Sequence, residues 1–185
     1  MTYWPTKGSK NTARTVSLAL ARARELGIEH IVVASVSGRT AQAFLKEPLE
    51  GLRLVCVTHH VGFGRPGEDE MAPEVREQLA AAGVPVLTTT HLMAGLDRAL
   101  RFKFGGVYPS EIIAASLRML GEGVKVGVEI AVMALDAGLV PYGRDIVAVA
   151  GTGRGADTAL VVRPAHSHQF FDTRVKEIIC KPREF

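Results

Sequence analysis

Cysteine and aromatic residues are both scarce in this chain of 185 residues. Its two cysteines, Cys56 and Cys180, lie inside apolar runs without C-x-x-C spacing, which argues against a disulfide framework or a zinc ribbon and favours the cytosol. Aromatic residues make up 6% of the chain and do not alternate with lysine or arginine. The stacking platforms and basic grooves of nucleic-acid-binding proteins are therefore missing, and we expect no nucleic-acid partner.

Long apolar runs and linkers are also missing. No stretch reaches the roughly 18 to 20 uncharged residues that cross a bilayer, and the first residues lack the basic-then-apolar order of a signal peptide. With 47% hydrophobic residues and 22 basic against 19 acidic ones, the composition is typical of globular proteins. We expect one domain over residues 1–185, a cytoplasmic location and no membrane partner.

Helical and strand patterns alternate along the chain. Apolar residues at spacings of three and four predict a helix over residues 11–26, and short apolar runs predict buried strands. Further helices are predicted to open near Pro73 and Pro109 and to span 124–137; the strand runs are 30–34, 52–57, 84–88, 146–150, 159–162 and 175–180. This order predicts a doubly wound, three-layer α/β sandwich, mostly parallel, with an antiparallel edge formed by the last two strands.

Ligands of such sheets bind beyond the carboxyl ends of the strands, so the loops there carry the functional predictions. The first loop, 35–40, combines a glycine, three hydroxyl residues and Arg39 directly before a helix, and a phosphate would fit its free amide groups. The alternative is that Ser37 or Thr40 only caps the helix.

A glycine-rich loop over 151–158 resembles a dinucleotide fingerprint, but a strand follows it where that motif needs a helix. It could still surround a ligand with backbone amides, or be a surface turn.

Histidines also lie near this edge, but they lack the spacing of metal ligands, so we expect no bound metal. We expect instead that His59 or His91 donates a hydrogen bond to a ligand. Glu129 lies in an apolar helix and is either a buried acceptor, an exposed residue or, as we favour, a site residue.

The segment Ser35-Val36-Ser37-Gly38-Arg39-Thr40, behind a strand and a helix, resembles the phosphate-binding loop in the C-terminal domain of pyruvate kinase. Residues 134–155 are similar to a later part of that domain. Over its whole length the chain resembles stand-alone prokaryotic proteins of the pyruvate kinase C-terminal-domain-like class, through residues 58–63, 151–158 and 163–166. It lacks the catalytic barrel of pyruvate kinase, so the resemblance does not imply kinase activity.

Members of that stand-alone class have been seen with bound flavin mononucleotide (FMN), and the resemblance implies the same cofactor here. The implied phosphate ligands are Ser35, Ser37, Gly38, Arg39 and Thr40. The implied surroundings of the flavin ring are Thr58, His59, Thr90, His91 and the loop formed by Gly151, Thr152, Gly153, Arg154, Gly155, Asp157 and Thr158. No reaction follows from this resemblance.

Three functions remain open at this point. The first is a protein that binds a phosphorylated small molecule, FMN above all. The second is a flavin-dependent oxidoreductase in which His59 or His91 handles protons and Glu129 tunes the site. The third is a regulatory or oligomer-forming module that responds to a sugar phosphate, since the related pyruvate kinase domain takes part in subunit contacts, and a homo-oligomer is accordingly a possible partner state.

Overall fold

The computed structural model of the protein describes residues 1–185. Its strands are β1 (Thr2–Trp4), β2 (His30–Ala34), β3 (Arg53–Val57), β4 (Val86–Leu87), β5 (Ile146–Ala150), β6 (Thr158–Arg163) and β7 (Arg174–Pro182). Its α-helices are α1 (Thr12–Glu25), α2 (Arg39–Phe44), α3 (Pro73–Ala81), α4 (Gly95–Phe104), α5 (Pro109–Arg118) and α6 (Glu122–Asp136), and short 3-10 helices span Ser9–Asn11 and Ser167–Asp172.

The strands form one seven-stranded sheet in the order β1-β7-β6-β5-β2-β3-β4. All neighbouring pairs are parallel except β5 with β6 and β6 with β7. The predicted mostly parallel α/β sandwich is confirmed, with β6 as its antiparallel strand. β7, predicted at 175–180, lies next to β6. The short strand β1, which the sequence did not predict, forms the edge of the sheet beyond β7.

Helices cover both faces of the sheet. On one face α1, α2 and α3 bury Val16, Leu20, Phe44 and Leu79 against it. On the other face α6 buries Val124, Val128 and Ala131. Because both faces are covered, β2 and β5 are continuous apolar runs without alternation.

Glycines in α6 allow this helix to approach the sheet closely. A Cβ atom on Gly123 would lie 2.1 Å from Oγ1 of Thr158, and one on Gly127 would lie 2.8 Å from Cδ1 of Leu160. The low helix propensity of glycine is therefore offset by packing that a larger residue would prevent.

Two details differ from the sequence prediction. The strand expected over 84–88 is only Val86–Leu87, because Pro85 has no amide hydrogen for the ladder and contributes its carbonyl oxygen to Cys56 instead. Helix α4 was not predicted, although Leu96, Leu100 and Phe104 recur at the helical spacing of four residues.

Candidate functional site

The carboxyl edge of the sheet has a point where the order of strands reverses. The chain runs from β2 outward through β3 to β4 and then places β5 on the other side of β2. The loops after β2 and β5, residues 35–38 and 151–157, therefore leave the sheet side by side. In open α/β sheets this reversal is the usual position of the ligand crevice.

Ser35 caps helix α2. Its Oγ accepts hydrogen bonds from the amides of Thr40, at 3.0 Å, and Ala41, at 3.4 Å, and the residue is buried. These are the amides that a phosphate at this helix terminus would need. The capping alternative thus holds here, although the capping residue is Ser35 and not Ser37 or Thr40.

Two other members of the loop have structural roles. Gly38 has a φ angle of 81°, and a Cβ atom there would lie 2.3 Å from Cγ1 of Val75 on α3, so only glycine fits. Thr40 is buried inside the first turn of α2. The accessible polar groups of the loop are those of Ser37 and Arg39, and Nε of Arg39 donates to Oγ of Ser37 at 3.2 Å.

The glycine-rich loop is packed at its base and exposed at its tip. A Cβ atom on Gly155 would lie 2.4 Å from Oγ1 of Thr12 and 2.7 Å from Cα of Ser9, and the Ala156 amide donates to Oγ1 of Thr12. Gly153 and Arg154 are exposed. The loop is therefore fixed against the start of α1, with its tip facing outward.

Asp157 holds this loop together from within. The residue is fully buried, and its carboxylate accepts the amides of Gly8 and Thr152, at 2.9 and 3.1 Å, and the hydroxyl of Thr158 at 2.9 Å. Its backbone oxygen accepts the Trp4 indole N–H. Asp157 and Thr158 were expected near the flavin ring, but their polar side-chain atoms are committed to these internal bonds.

Aromatic and imidazole rings gather at the ends of β3 and β4. The ring centroid of His59 lies 3.8 Å from that of Phe63 and 5.3 Å from that of His91, and His60 lies 5.6 Å from His91. Arg98 lies over the Phe63 ring at 5.5 Å. We call His59, His60, Phe63 and His91 the ring cluster; the sequence pointed to His59 and His91 but not to His60, Phe63 or Arg98.

A carboxylate orients the first ring of the cluster. Nδ1 of His59 lies 2.7 Å from Oε2 of Glu70 in the long loop between β3 and α3. Such a bond fixes the ring orientation and leaves Nε2 for other partners. The sequence reasoning missed Glu70, because nothing in the sequence relates two residues that are eleven positions apart in a polar loop.

His91 is expected to make stability depend on pH between about 6.5 and 4. Burial first, and then the charges of His59, Lys125 and His60, lower its pKa to about 4, while Glu129 opposes them. Since the unfolded chain takes up this proton first, acidification from pH 6.5 to 4 should cost about 1–2 kcal/mol after solvent screening.

Urea unfolding of the wild type and of His91→Gln across that pH range measures this effect. The slope of unfolding free energy against pH should flatten in the variant. An equal slope in both proteins would contradict the assignment. Folding lowers the pKa values of carboxylates such as Asp69 and Asp136, so these groups also cost stability toward the acid end of this range. They do so equally in both proteins, and the difference between the two slopes therefore reports His91.

Glu129 lies beneath the ring cluster and does not face the edge. Its Oε1 accepts the Met93 amide at 2.8 Å and its Oε2 pairs with Nζ of Lys125, one helical turn away. Both side chains are buried. The interpretation of Glu129 as a ligand-facing residue was wrong; it is a buried acceptor that holds the His91 loop onto α6.

The threonines at this edge are divided between the interior and the surface. Thr58 is buried, and its hydroxyl lies 2.7 Å from that of Thr88, which also accepts Nη2 of Arg76 at 3.0 Å. Arg76 in turn binds Asp69 at 2.6 Å. Thr90 is exposed. Thr58 therefore supports the loops, whereas Thr90 is accessible to a ligand.

Two cavities open at the opposite, amino edge of the sheet. One of about 420 Å³ is lined by residues that include His30, Arg144, Asp145 and Arg163, and one of about 380 Å³ lies beside Leu52 and Val84. Neither is lined by a residue of the predicted site.

No group of three or more histidine, cysteine or acidic side chains is placed to hold a metal ion. Both cysteines are buried free thiols, and burial raises the pKa of Cys56 to about 12 and that of Cys180 to about 11. None of the helices has the length and apolar character needed to cross a membrane.

Two solved structures of pyruvate kinases align with most of this chain at low sequence identity. A pyruvate kinase from Cryptosporidium parvum aligns over 85% of this chain and 23% of its own, with 17% identity and a TM-score of 0.44. The same enzyme in complex with ADP aligns over 84% and 24%, with 17% identity and a TM-score of 0.42. The chain thus spans about a quarter of the length of these enzymes.

The family model of the pyruvate kinase alpha/beta domain matches residues 13–162, from the second residue of α1 to the penultimate residue of β6. This range includes the loops after β2, β3, β4 and β5 that form the candidate site. It covers most of the chain, and the protein therefore belongs to the pyruvate kinase alpha/beta domain family.

Proposed function

We propose that the protein binds FMN across the carboxyl edge of the sheet. The observation that carries this proposal is that hydrogen-bond donors and flat rings lie along the same edge of the sheet. Arg39 and Ser37 offer hydrogen-bond donors at the end of β2, where the strand order reverses, and the ring cluster offers flat surfaces at the ends of β3 and β4. A phosphate and a planar ring need these two surroundings.

The spacing of the two parts suits a mononucleotide. Neighbouring strands lie about 4.8 Å apart, so the end of β4 is about 10 Å from the end of β2. A ribityl chain joins the phosphate of FMN to its ring system over a span of this order. The exposed tip of the glycine-rich loop, Gly153 and Arg154, lies on the far side of β2 and could close over the phosphate with its amides.

Each residue would act through groups that are accessible. The Arg39 guanidinium would pair with phosphate oxygens, and Ser37 would donate its hydroxyl. Phe63, which is partly exposed, and His91 would pack against the ring. His59, held by Glu70, would present Nε2 to the polar rim of the ring. Bound FMN would supply redox chemistry that the side chains of this chain lack.

The first test is a visible absorption spectrum of freshly purified protein, followed by heat release and mass analysis of the ligand. A stoichiometric yellow chromophore with the mass of FMN is the expected result. A colourless protein that binds no added FMN would contradict the proposal. Binding of sugar phosphates in its place would favour the regulatory module.

The second test is the double substitution Ser37→Ala with Arg39→Ala. It should weaken FMN binding by about 100-fold or more, because it removes a charge-assisted contact and a hydroxyl donor. Riboflavin, which has no phosphate, should bind both proteins equally, as measured by fluorescence quenching. Arg144→Ala is the matched control, since this exposed arginine lies at the opposite edge. Unchanged FMN affinity in the double variant would contradict the assignment.

A further inference from the structure

The two cavities at the amino edge of the sheet adjoin at His30. This first residue of β2 lines both the cavity of about 420 Å³ and the cavity of about 380 Å³. We call the larger one the polar cavity and the smaller one the apolar cavity, after the side chains that line them. Each has a volume in the range of small-molecule sites, and both lie at the opposite edge from the proposed FMN site.

Helices α1, α3 and α6 all end at this edge in a glycine turn. Gly27, Gly83 and Gly138 follow them with φ angles of 64°, 73° and 70°, and all three line the cavities. The next amide donates back to a carbonyl oxygen of the last turn, as the Ile28 amide does to Ala23. A Cβ atom on any of the three glycines would meet open space. The helix ends therefore leave room for a ligand, and these turns occupy carbonyl oxygens that would repel an anion.

The polar cavity carries positive charge without a counter-charge. Asp145 pairs with Arg163 at 2.7 Å and with Lys176 at 2.9 Å, so its carboxylate is fully used. Arg144 next to it is exposed and makes no ion pair within the chain. Around the two cavities there are four basic and two acidic side chains: Arg53, Arg144, Arg163, Lys176, Glu29 and Asp145. This excess of positive charge favours an anionic ligand.

Leucines from both faces of the sheet line the apolar cavity. Leu49 and Leu52 are partly buried and pack against the core on the α1 side, whereas Leu139 packs against the core on the α6 side. The exposed parts of these side chains face the cavity together with Val84. A hydrocarbon chain in this cavity would remove their apolar surface from water.

His30 separates the charged groups from the leucines. Burial first, and then the charge of Arg53, lower the pKa of His30, while Glu29 opposes them. The ring is therefore neutral at pH 7, and an apolar chain can pass it without desolvating a charge.

We infer that the amino edge binds a small carboxylic acid with an apolar tail, with its carboxylate on Arg144 and its tail in the apolar cavity. Guanidinium and carboxylate groups pair through two parallel hydrogen bonds. The residues before β5 and those before β3 lie two strand spacings apart, about 10 Å, and an extended chain of eight carbons covers this distance. The inference does not depend on the proposed FMN site.

Isothermal titration calorimetry of the full chain with octanoate at pH 7.5 tests the inference. One molecule should bind per chain, and butanoate should bind at least about 50-fold more weakly, because each buried methylene group contributes about fourfold. Octanol, which has the tail without the charge, should bind at least about tenfold more weakly than octanoate. Absence of octanoate binding at millimolar concentrations, or equal affinities for octanol and octanoate, would overturn the inference.

Two substitutions at exposed positions test the placement of the ligand. Arg144→Ala should raise the octanoate Kd by about tenfold or more, because it removes the charge-assisted contact. Ala82→Phe should raise it as much, because the new ring fills the apolar cavity, while the charge of Arg144 remains. Arg65→Ala, at an exposed arginine in the loop after β3, is the matched control and should leave the Kd unchanged.

FMN affinity measured on the same variants keeps the two sites apart. Neither Arg144→Ala nor Ala82→Phe should change it, since both residues lie at the amino edge. An octanoate Kd that stayed the same in both variants would place the ligand elsewhere and overturn the inference, whatever the result with FMN.

Discussion

Replacing Glu129 by glutamine should lower the free energy of unfolding by about 3–5 kcal/mol, because it leaves the Lys125 ammonium buried without a counter-charge. The glutamine oxygen can still accept the Met93 amide, so the loss reports the ion pair and not the backbone contact. Urea unfolding followed by circular dichroism at pH 7.5 measures it.

A double-mutant cycle separates the pair from its surroundings. Lys125→Met with Glu129→Gln removes both charges and should recover most of the loss, since a buried ion pair can be replaced by apolar groups at little cost. If Glu129→Gln costs less than about 1 kcal/mol, the pair is not buried as described. Arg118→Gln is a suitable control, because its partner Glu122 is also four residues away but the pair is exposed.

Asp157→Ala is expected to cost about 3–5 kcal/mol, because three donors lose a buried acceptor at once. The substitution should loosen the glycine-rich loop itself as well as lower the free energy of unfolding. Hydrogen exchange at the amides of Gly8 and Thr152 should accelerate more than exchange in β2 or α6. Asp172→Ala, at an exposed aspartate, should change neither quantity.

A uniform acceleration of exchange would contradict the local role of Asp157. If unfolding remained unchanged, the carboxylate would not be the acceptor that fixes the glycine-rich loop. Either result would mean that Asp157 does not fix the base of the glycine-rich loop beside the proposed phosphate position.

Much of the fold follows from periodicity. The helix predicted over 11–26 is Thr12–Glu25, and the run at 146–150 is the central strand β5. Strand β1 could not be found this way, because three residues are too few to show alternation, and it is held by pairing with β7. Helix α4 was missed although a signal was present, since Leu96, Leu100 and Phe104 recur at the helical spacing of four residues.

The sequence predicts which loops meet at the carboxyl edge of the sheet better than it predicts which side chains are accessible there. The rule for the carboxyl edge places 35–40 and 151–158 together, and the topology agrees. It cannot say which side chains turn inward, and Ser35, Asp157 and Glu129 all do. For Glu129 a signal was present: a lysine four residues earlier in an apolar helix indicates a buried i, i+4 pair.

The pairing of β1 with β7 links the first residues of the chain to its last strand. Thr2 lies opposite Cys180, Trp4 lies opposite Pro182, and the Arg183 amide donates to the Trp4 carbonyl. Contacts between residues so far apart in sequence close long loops, and they are expected to form late in folding. The contacts of Trp4 and Gly8 with Asp157 span 153 and 149 residues, so the glycine-rich loop is expected to reach its final form late as well.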